Sequence, residues 1–302
     1  LARSCLAQLQ EPPQEKKEEE RPPMVVQKPA KIVEAPKKPK PAADDVDTRI
    51  PKSETTCNTV FAVIIGNEKY DDETDVLYAE NDATMFKEYC QQTLGINEKH
   101  IKFITNAGYN DMRKAVNWLE QGLDSYDGEG SAIFYYAGHG IPDESEKSAY
   151  LLPTDGIGSD VGSAYSLEKL YDKLGDMEAQ SITVFLDACF SGSKRDGGMM
   201  SSARGVALKM KQEEPEGKMV VFTAAQGDET AYPYKSKQHG MFTYYLLKKL
   251  QETSGEATLG ELADYIIKEV KRQSFDENNR KQTPVVKPSS DMGDGWRKLK
   301  LK

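Results

Sequence analysis

The sequence predicts an α/β fold, a sandwich built on a mainly parallel sheet. Three observations carry this. Five apolar runs of strand length are nearly continuous, helix-period segments alternate with them, and the composition changes sharply near residue 57.

The tail comes first in the chain. Residues 1–56 hold no aromatic residue and no glycine but nine of the 15 prolines, with 11 basic against 10 acidic side chains. So little apolar surface cannot offset the entropy of ordering a chain. Residues 1–56 therefore read as a disordered Pro/Lys/Glu-rich spacer, and 57–302 as the folded domain. Ser4-Cys5-Leu6-Ala7 ahead of Gln8 suits the end of a secretory signal. A secreted or periplasmic protein is the expectation, with an arbitrary chain boundary and a cytoplasmic protein as the alternative.

The strand runs are Thr59 to Gly66, His100 to Asn106, Ser131 to Ala137, Ser181 to Ala188 and Lys218 to Ala224. Their unbroken apolar character is that of strands covered on both faces. Helix-like stretches run over Glu80 to Leu94, Asp111 to Leu123, Leu167 to Leu174, Phe242 to Leu250 and Leu259 to Val270. Asn81 or Asp82, and Asn110 or Asp111, offer N-cap chemistry for the first two. Asp155 to Ser166 reads as a loop. So does 191–217, a long stretch rich in Gly, Ser, Lys and Glu that directly follows a buried strand.

Charge narrows the function. The formal net charge of −9 divides into +1 for the tail and −10 for residues 57–302, which carry 29 basic against 39 acidic residues. An acidic domain without a basic cluster is a poor nucleic-acid binder. No apolar run approaches the roughly 20 residues of a membrane helix. Four cysteines without a C-x-x-C pair, and three histidines, give neither a zinc site nor a disulfide scaffold.

In open α/β sheets, ligands bind beyond the carboxyl ends of the strands. Two runs end there in a reactive side chain: Tyr136-Ala137-Gly138-His139-Gly140 and Asp187-Ala188-Cys189-Phe190-Ser191-Gly192. Parallel strands would bring His139 and Cys189 to one edge, as a nucleophile and its base require. The thiolate is the attacking species, and an imidazole can stabilise it or protonate a leaving amine. The N–H groups of Gly140 and Cys189 are candidates for an oxyanion site. Position alone leaves Cys189 open between nucleophile and packing residue, because free cysteines are commonly buried. Cys90, Cys57 and Cys5 read as packing or tail residues, and His100 and His239 as surface or turn residues.

These motifs resemble those of the caspase-like cysteine peptidases, and within them the metacaspases and their bacterial relatives. The spacing of 50 residues between His139 and Cys189 agrees with the roughly 50 of caspases. Further matches are Phe61 to Gly66 with Asn81-Asp82-Ala83, Leu152-Pro153-Thr154-Asp155, Gly240-Met241-Phe242-Thr243 and Gln282-Thr283-Pro284, together covering about residues 59–300 in order. The nucleophile segment departs from the Gln-Ala-Cys pattern of animal caspases, which prefer aspartate before the scissile bond.

The resemblance implies a caspase-like three-layer sandwich with helices on both faces of the sheet. It also implies a cysteine endopeptidase with a Cys189–His139 dyad. Metacaspases cleave after Arg or Lys, and their acidic pocket residues fall by position on Asp82 and Asp187. A buried carboxylate needs a partner, which an arriving cation would supply. Asp187 has strand-end N–H groups as its rival partners, and Asp82 has helix capping. Asp228 and Glu229 could line the same pocket or belong to a solvated loop. Peptide or protein substrates with Arg or Lys before the scissile bond are the expected partners.

The 191–217 loop offers Lys194, Arg195, Arg204, Lys209 and Lys211 as self-cleavage candidates, or it is a plain charged loop. A zymogen that processes itself is one expectation, and a non-catalytic caspase-like scaffold or binding module is its alternative. Metacaspases often need calcium. Asp155 and Asp160 are present without a paired Asp-Asp, so no metal or organic cofactor is expected. A doubly wound hydrolase or nucleotide-binding protein is disfavoured, since neither Gly-x-Ser-x-Gly nor a phosphate loop follows any strand.

Overall fold

The computed structural model describes residues 46–143, 148–191, 214–227 and 229–302. Along the chain these form β1 (Val60–Gly66), α1 (Ala79–Gln92), β2 (Ile101–Thr105), α2 (Tyr109–Asp124) and β3 (Ser131–Ala137). A small antiparallel sheet of β4 (Gly140–Asp143), β5 (Ser148–Leu151) and β6 (Tyr165–Ser166) follows, then α3 (Leu167–Gly175), β7 (Ser181–Asp187) and β8 (Met219–Thr223). The short pair β9 (Pro233–Tyr234) and β10 (His239–Gly240) leads into α4 (Met241–Glu252), α5 (Leu259–Asn278) and β11 (Val285–Pro288).

The main sheet has the order β11-β8-β7-β3-β1-β2. The five strands expected from sequence are mutually parallel, and β11 alone runs antiparallel, against β8. Alternate residues of each strand face opposite cores. Val60, Ala62 and Ile64 join one cluster with α1, α4 and α5, while Phe61, Val63 and Ile65 join another with α2 and α3. Two covered faces explain why β1 is buried at every position and why its apolar run is unbroken. This is the expected three-layer sandwich.

Several local expectations are corrected. The side chains of Asn81 and Asp82 do not cap α1, whose N-cap is Tyr78 in the left-handed region at φ 71°. Glu68 Oε2 instead accepts the Glu80 N–H at 3.2 Å. Nor do Asn110 and Asp111 cap α2, which starts from Gly108; the Asp155 carboxylate accepts the Tyr109 N–H at 2.8 Å. Both caps arrive from distant loops, which is why local pattern missed them. The 155–166 stretch, expected as a loop, contains β6 and a short 3₁₀ turn.

The boundary at residue 56 is also corrected, because 46–56 are part of the domain. Val46 is fully buried in the α1/α4/α5 core. The backbone carbonyls of Val46, Arg49 and Pro51 accept hydrogen bonds from Tyr89, Gln251 and Thr93 at 2.7 to 3.0 Å. A largely polar segment can be ordered by side chains of the domain it lies on, a contribution that composition does not reveal. The long loop that was expected over 191–217 is described only at its ends.

Gly66 marks where α1 presses closest to the sheet: a Cβ there would stand 2.6 Å from both the Ala79 carbonyl oxygen and the Ala83 Cβ. Gly66→Ala should therefore cost about 1–3 kcal/mol of stability, read by denaturant unfolding, because backbone rather than a flexible side chain must give way.

Candidate active site

The relative placement of His139 and Cys189 follows from strand register. β3 and β7 pair in parallel with Ala137 opposite Asp187, so each reactive residue lies two positions beyond the end of its strand, side by side at one edge. Their separation of 50 in sequence is the register offset itself. Both are buried, His139 at 3% and Cys189 at 5% exposure.

His139 is held on three sides. Its N–H donates to the Tyr70 hydroxyl at 2.8 Å, and its carbonyl accepts from Tyr136 Oη and from the Leu152 N–H at 2.9 and 3.0 Å. The Tyr70 ring lies 4.8 Å from the imidazole, centroid to centroid. Burial drives the Tyr136 phenol well above its ordinary pKa, so it stays a donor. Imidazole Nε2 lies 2.8 Å from the Thr74 carbonyl oxygen. A carbonyl can only accept, so Nε2 carries the proton, and in the neutral ring Nδ1 holds the lone pair.

The Gly140 N–H turns away from β5. The Leu152 N–H bonds the His139 carbonyl, so the next antiparallel pair, Gly140 with Leu151, is the non-hydrogen-bonded kind. A Cβ on Gly140 would meet the Phe190 ring at 2.5 Å and the Cys189 carbonyl at 2.7 Å. Glycine at this position lets the two reactive loops approach each other. Across the thiol, the Ala231 N–H donates to Cys189 Sγ at 2.9 Å, and the thiol lies 3.5 Å from the Ala231 carbonyl. Cys90 is the packing residue expected of it: it is fully buried, and desolvation pushes its thiol pKa strongly upward.

The two carboxylates expected in the pocket meet at the N-terminus of α4. Asp187 Oδ2 accepts from Thr243 Oγ1 at 2.7 Å and from the Thr243 N–H at 3.3 Å. Asp82 accepts the Gly240 N–H at 2.9 Å and pairs with His239 Nδ1 at 2.7 Å. Both are fully buried. Thus Asp82 does cap a helix, but α4 rather than its own, and its carboxylate faces His239 and not open pocket. Donors at a helix start and the helix dipole both favour negative charge there. The sequence signal was Gly240-Met241-Phe242-Thr243, a motif that had no structural task until this placement.

His239 is not the surface or turn residue expected. It is fully buried, with Nδ1 on Asp82 and Nε2 on Asp47 Oδ1 at 2.9 Å. Carboxylates only accept, so both ring nitrogens carry protons and the ring is a cation. Burial alone would lower its pKa, but the hydrogen bonds to Asp47 and Asp82 and their charges outweigh that and raise it to about 9. Glu229 is an anchor rather than a solvated residue: it pairs with Lys281 at 3.4 Å and accepts from the Thr283 hydroxyl at 3.1 Å. Asp228, Lys194, Arg195, Arg204, Lys209 and Lys211 lie outside the described residues.

Among the described residues no group of three or more His, Cys, Asp or Glu could hold a metal. Asp155 is committed to α2, and Asp160 accepts the Gly162 N–H at 2.9 Å. No helix among them is long and apolar enough to cross a membrane.

The caspase domain family model (Peptidase C14) matches residues 59–291. The chain belongs to the caspase-domain family. Its fold resembles that of GSU0716 from Geobacter sulfurreducens, with a TM-score of 0.58 at 16% identity, over 80% of this chain and 97% of that one. It also resembles caspase-1 from Spodoptera frugiperda, with a TM-score of 0.53 at 14% identity, over 79% and 90%. No curated protein matches the sequence. Membership in this cysteine peptidase family implies protein substrates.

His239 gives a pH prediction. Its folded pKa is raised, so its stabilisation is complete below the unfolded value near 6.5 and is lost as pH rises through about 9. Unfolding free energy should fall across that window by up to roughly 3 kcal/mol, and His239→Gln should flatten the slope there. Equal slopes for the two proteins would refute the assignment.

Proposed function

We propose that this caspase-domain protein is a cysteine endopeptidase that cleaves after Arg or Lys, with Cys189 as nucleophile and His139 as general acid and base. The observation that supports the reading is the β3–β7 register, in which His139 and Cys189 each follow their strand by two residues, together with the Thr74 carbonyl on His139 Nε2, which favours the tautomer with Nδ1 as the basic nitrogen.

In the reaction, the Cys189 proton passes to His139 Nδ1 and the thiolate sulfur adds to the scissile carbonyl carbon. The carbonyl oxygen becomes an oxyanion, which the N–H groups of Gly140 and Cys189 can receive. On collapse the C–N bond breaks, and the amine leaves with the proton from His139. Water, deprotonated by His139, then adds to the thioester; the C–S bond breaks, and the carboxylate product and the thiol are released. No step calls for a metal or organic cofactor.

Substrate choice is assigned to Asp187 foremost. It sits two residues before Cys189, on the strand face toward α4 where the sulfur also packs. Thr243 takes up part of its acceptor capacity, and a carboxylate can accept further donors from an ammonium or guanidinium. Asp82 supports the same wall through Gly240, and Asp228 is retained as a further pocket candidate. The self-processing reading rests on the basic residues of the loop after Cys189: cleavage at Lys194, Arg195, Arg204, Lys209 or Lys211 would use the same specificity.

Peptides ending in Arg or Lys should turn over faster than those ending in Asp or Ala, and Cys189→Ala and His139→Ala should each lower kcat/KM by roughly a thousandfold or more. Faster turnover of the Asp peptide would remove the specificity reading, and turnover surviving in Cys189→Ala would remove the mechanism. Asp187→Asn should cost about 10- to 100-fold on the Arg peptide, the worth of a charged hydrogen bond. Self-processing predicts a fall in intact mass on incubation of the wild type, absent from Cys189→Ala; identical masses would refute it.

A further inference from the structure

Gln282-Thr283-Pro284 has no task in the reaction above, yet its side chains grip the segment that lies over the thiol. Gln282 is fully buried. Its Oε1 accepts the Tyr232 N–H at 2.9 Å, its Nε2 donates to the Ala224 carbonyl at 2.9 Å, and its own N–H donates to Ser274 Oγ at 3.0 Å. Thr283 holds the other end: its N–H and hydroxyl donate to the two carboxylate oxygens of Glu229 at 2.5 and 3.1 Å. Between the two anchors lies Ala231, whose N–H meets Cys189 Sγ at 2.9 Å.

We propose that Gln282 is a positioning residue for Cys189: with the Thr283–Glu229 contact at the far end, it holds the Ala231 N–H on the sulfur. The proposal rests on Cys189 being the reacting thiol. A hydrogen bond donated to sulfur favours the thiolate over the thiol, and the thiolate is the form that attacks. Gln282 suits the task because it spans the gap in both directions, accepting from Tyr232 while donating back to the end of β8. An apolar side chain of similar size would leave both backbone groups buried without these partners. The Ala231–Tyr232 peptide would then lose its hold, and with it the backbone angles at Ala231 that aim the preceding amide, the Ala231 N–H, at the sulfur.

The test is the pH dependence of Cys189 alkylation by iodoacetamide, followed residue by residue by mass spectrometry, with buried Cys90 as internal control. Among the described residues the titratable groups facing the sulfur are His139 at the adjacent strand end, Asp187 on its own strand and Glu229 on the facing segment. Gln282→Ala touches none of the three, so its midpoint reports the amide, whereas Thr283→Val keeps all three side chains but removes one hydrogen bond from Glu229.

Gln282→Ala should raise the midpoint by about one pH unit, which is about tenfold slower alkylation below it, without slowing the limiting rate at high pH. Thr283→Val should shift it the same way by less. An unmoved midpoint in folded Gln282→Ala overturns the proposal, even if the limiting rate rises, since the segment then only shields the thiol. Should that variant show no cooperative unfolding, an unmoved midpoint in Thr283→Val overturns it. A wild-type midpoint at the ordinary value near 8.5 does so as well. Absence of peptide turnover with the shift intact removes the peptidase reading but leaves the positioning role. Turnover without the shift does the reverse.

Discussion

The site depends on one geometric constraint, the parallel pairing of β3 with β7. Every residue of β3 from Ser131 to Ala137 lies opposite the residue 50 positions later in β7. A slip of one residue would turn each side chain to the other face. A slip of β3 would exchange Phe134 and Tyr135 between the two cores, and a slip of β7 would do the same to Val184 and Phe185. The burial of large aromatics on both sides therefore fixes the register, and the register brings His139 to Cys189. Packing chosen for stability and geometry suited to chemistry are here the same fact.

A second organising element is the start of α4. It receives Asp82 through Gly240 and Asp187 through Thr243, and Asp82 in turn meets His239, which holds Asp47 of the docked 46–56 segment. Two fully buried carboxylates at the start of one helix need compensating donors or charge. A helix N-terminus and one buried imidazolium supply the opposing charge. The chain from Asp47 to Asp187 thus ties an N-terminal segment to the strand that carries the thiol. The side chain of each member is committed to a neighbour.

The parts legible in the sequence are those governed by local pattern. The five parallel strands and five helices lie close to where apolar runs and helical period placed them, because two-sided burial writes itself as unbroken hydrophobicity. Less legible were features whose partners lie far off in sequence. β11 is short and only partly buried, so its run Val285–Pro288 has no strong pattern. α1 and α2 are capped by Glu68 and Asp155 from other loops. The burial of His239 depends on three separate segments, and nothing in Gln238-His239-Gly240 announces it. The 46–56 segment is ordered by the burial of Val46, by Asp47 on His239 and by hydrogen bonds to its carbonyls, whose partners all lie far off in sequence.

The same distinction changes the meaning of the acidic charge. At the sequence level, an excess of carboxylates suggests attraction for a basic substrate, and Asp82 and Asp187 fall at matching positions. In the folded chain Asp82 is satisfied from within by a histidine cation and a helix amide, so its charge offers little to a ligand. Asp187 accepts from the Thr243 hydroxyl and N–H at the start of α4. The one imidazolium is shared between Asp82 and Asp47, and the donors at the helix start complete the compensation of Asp82. Both carboxylates thus serve first to organise the start of α4, and the selection of a cation proposed for Asp187 has to work from within that arrangement.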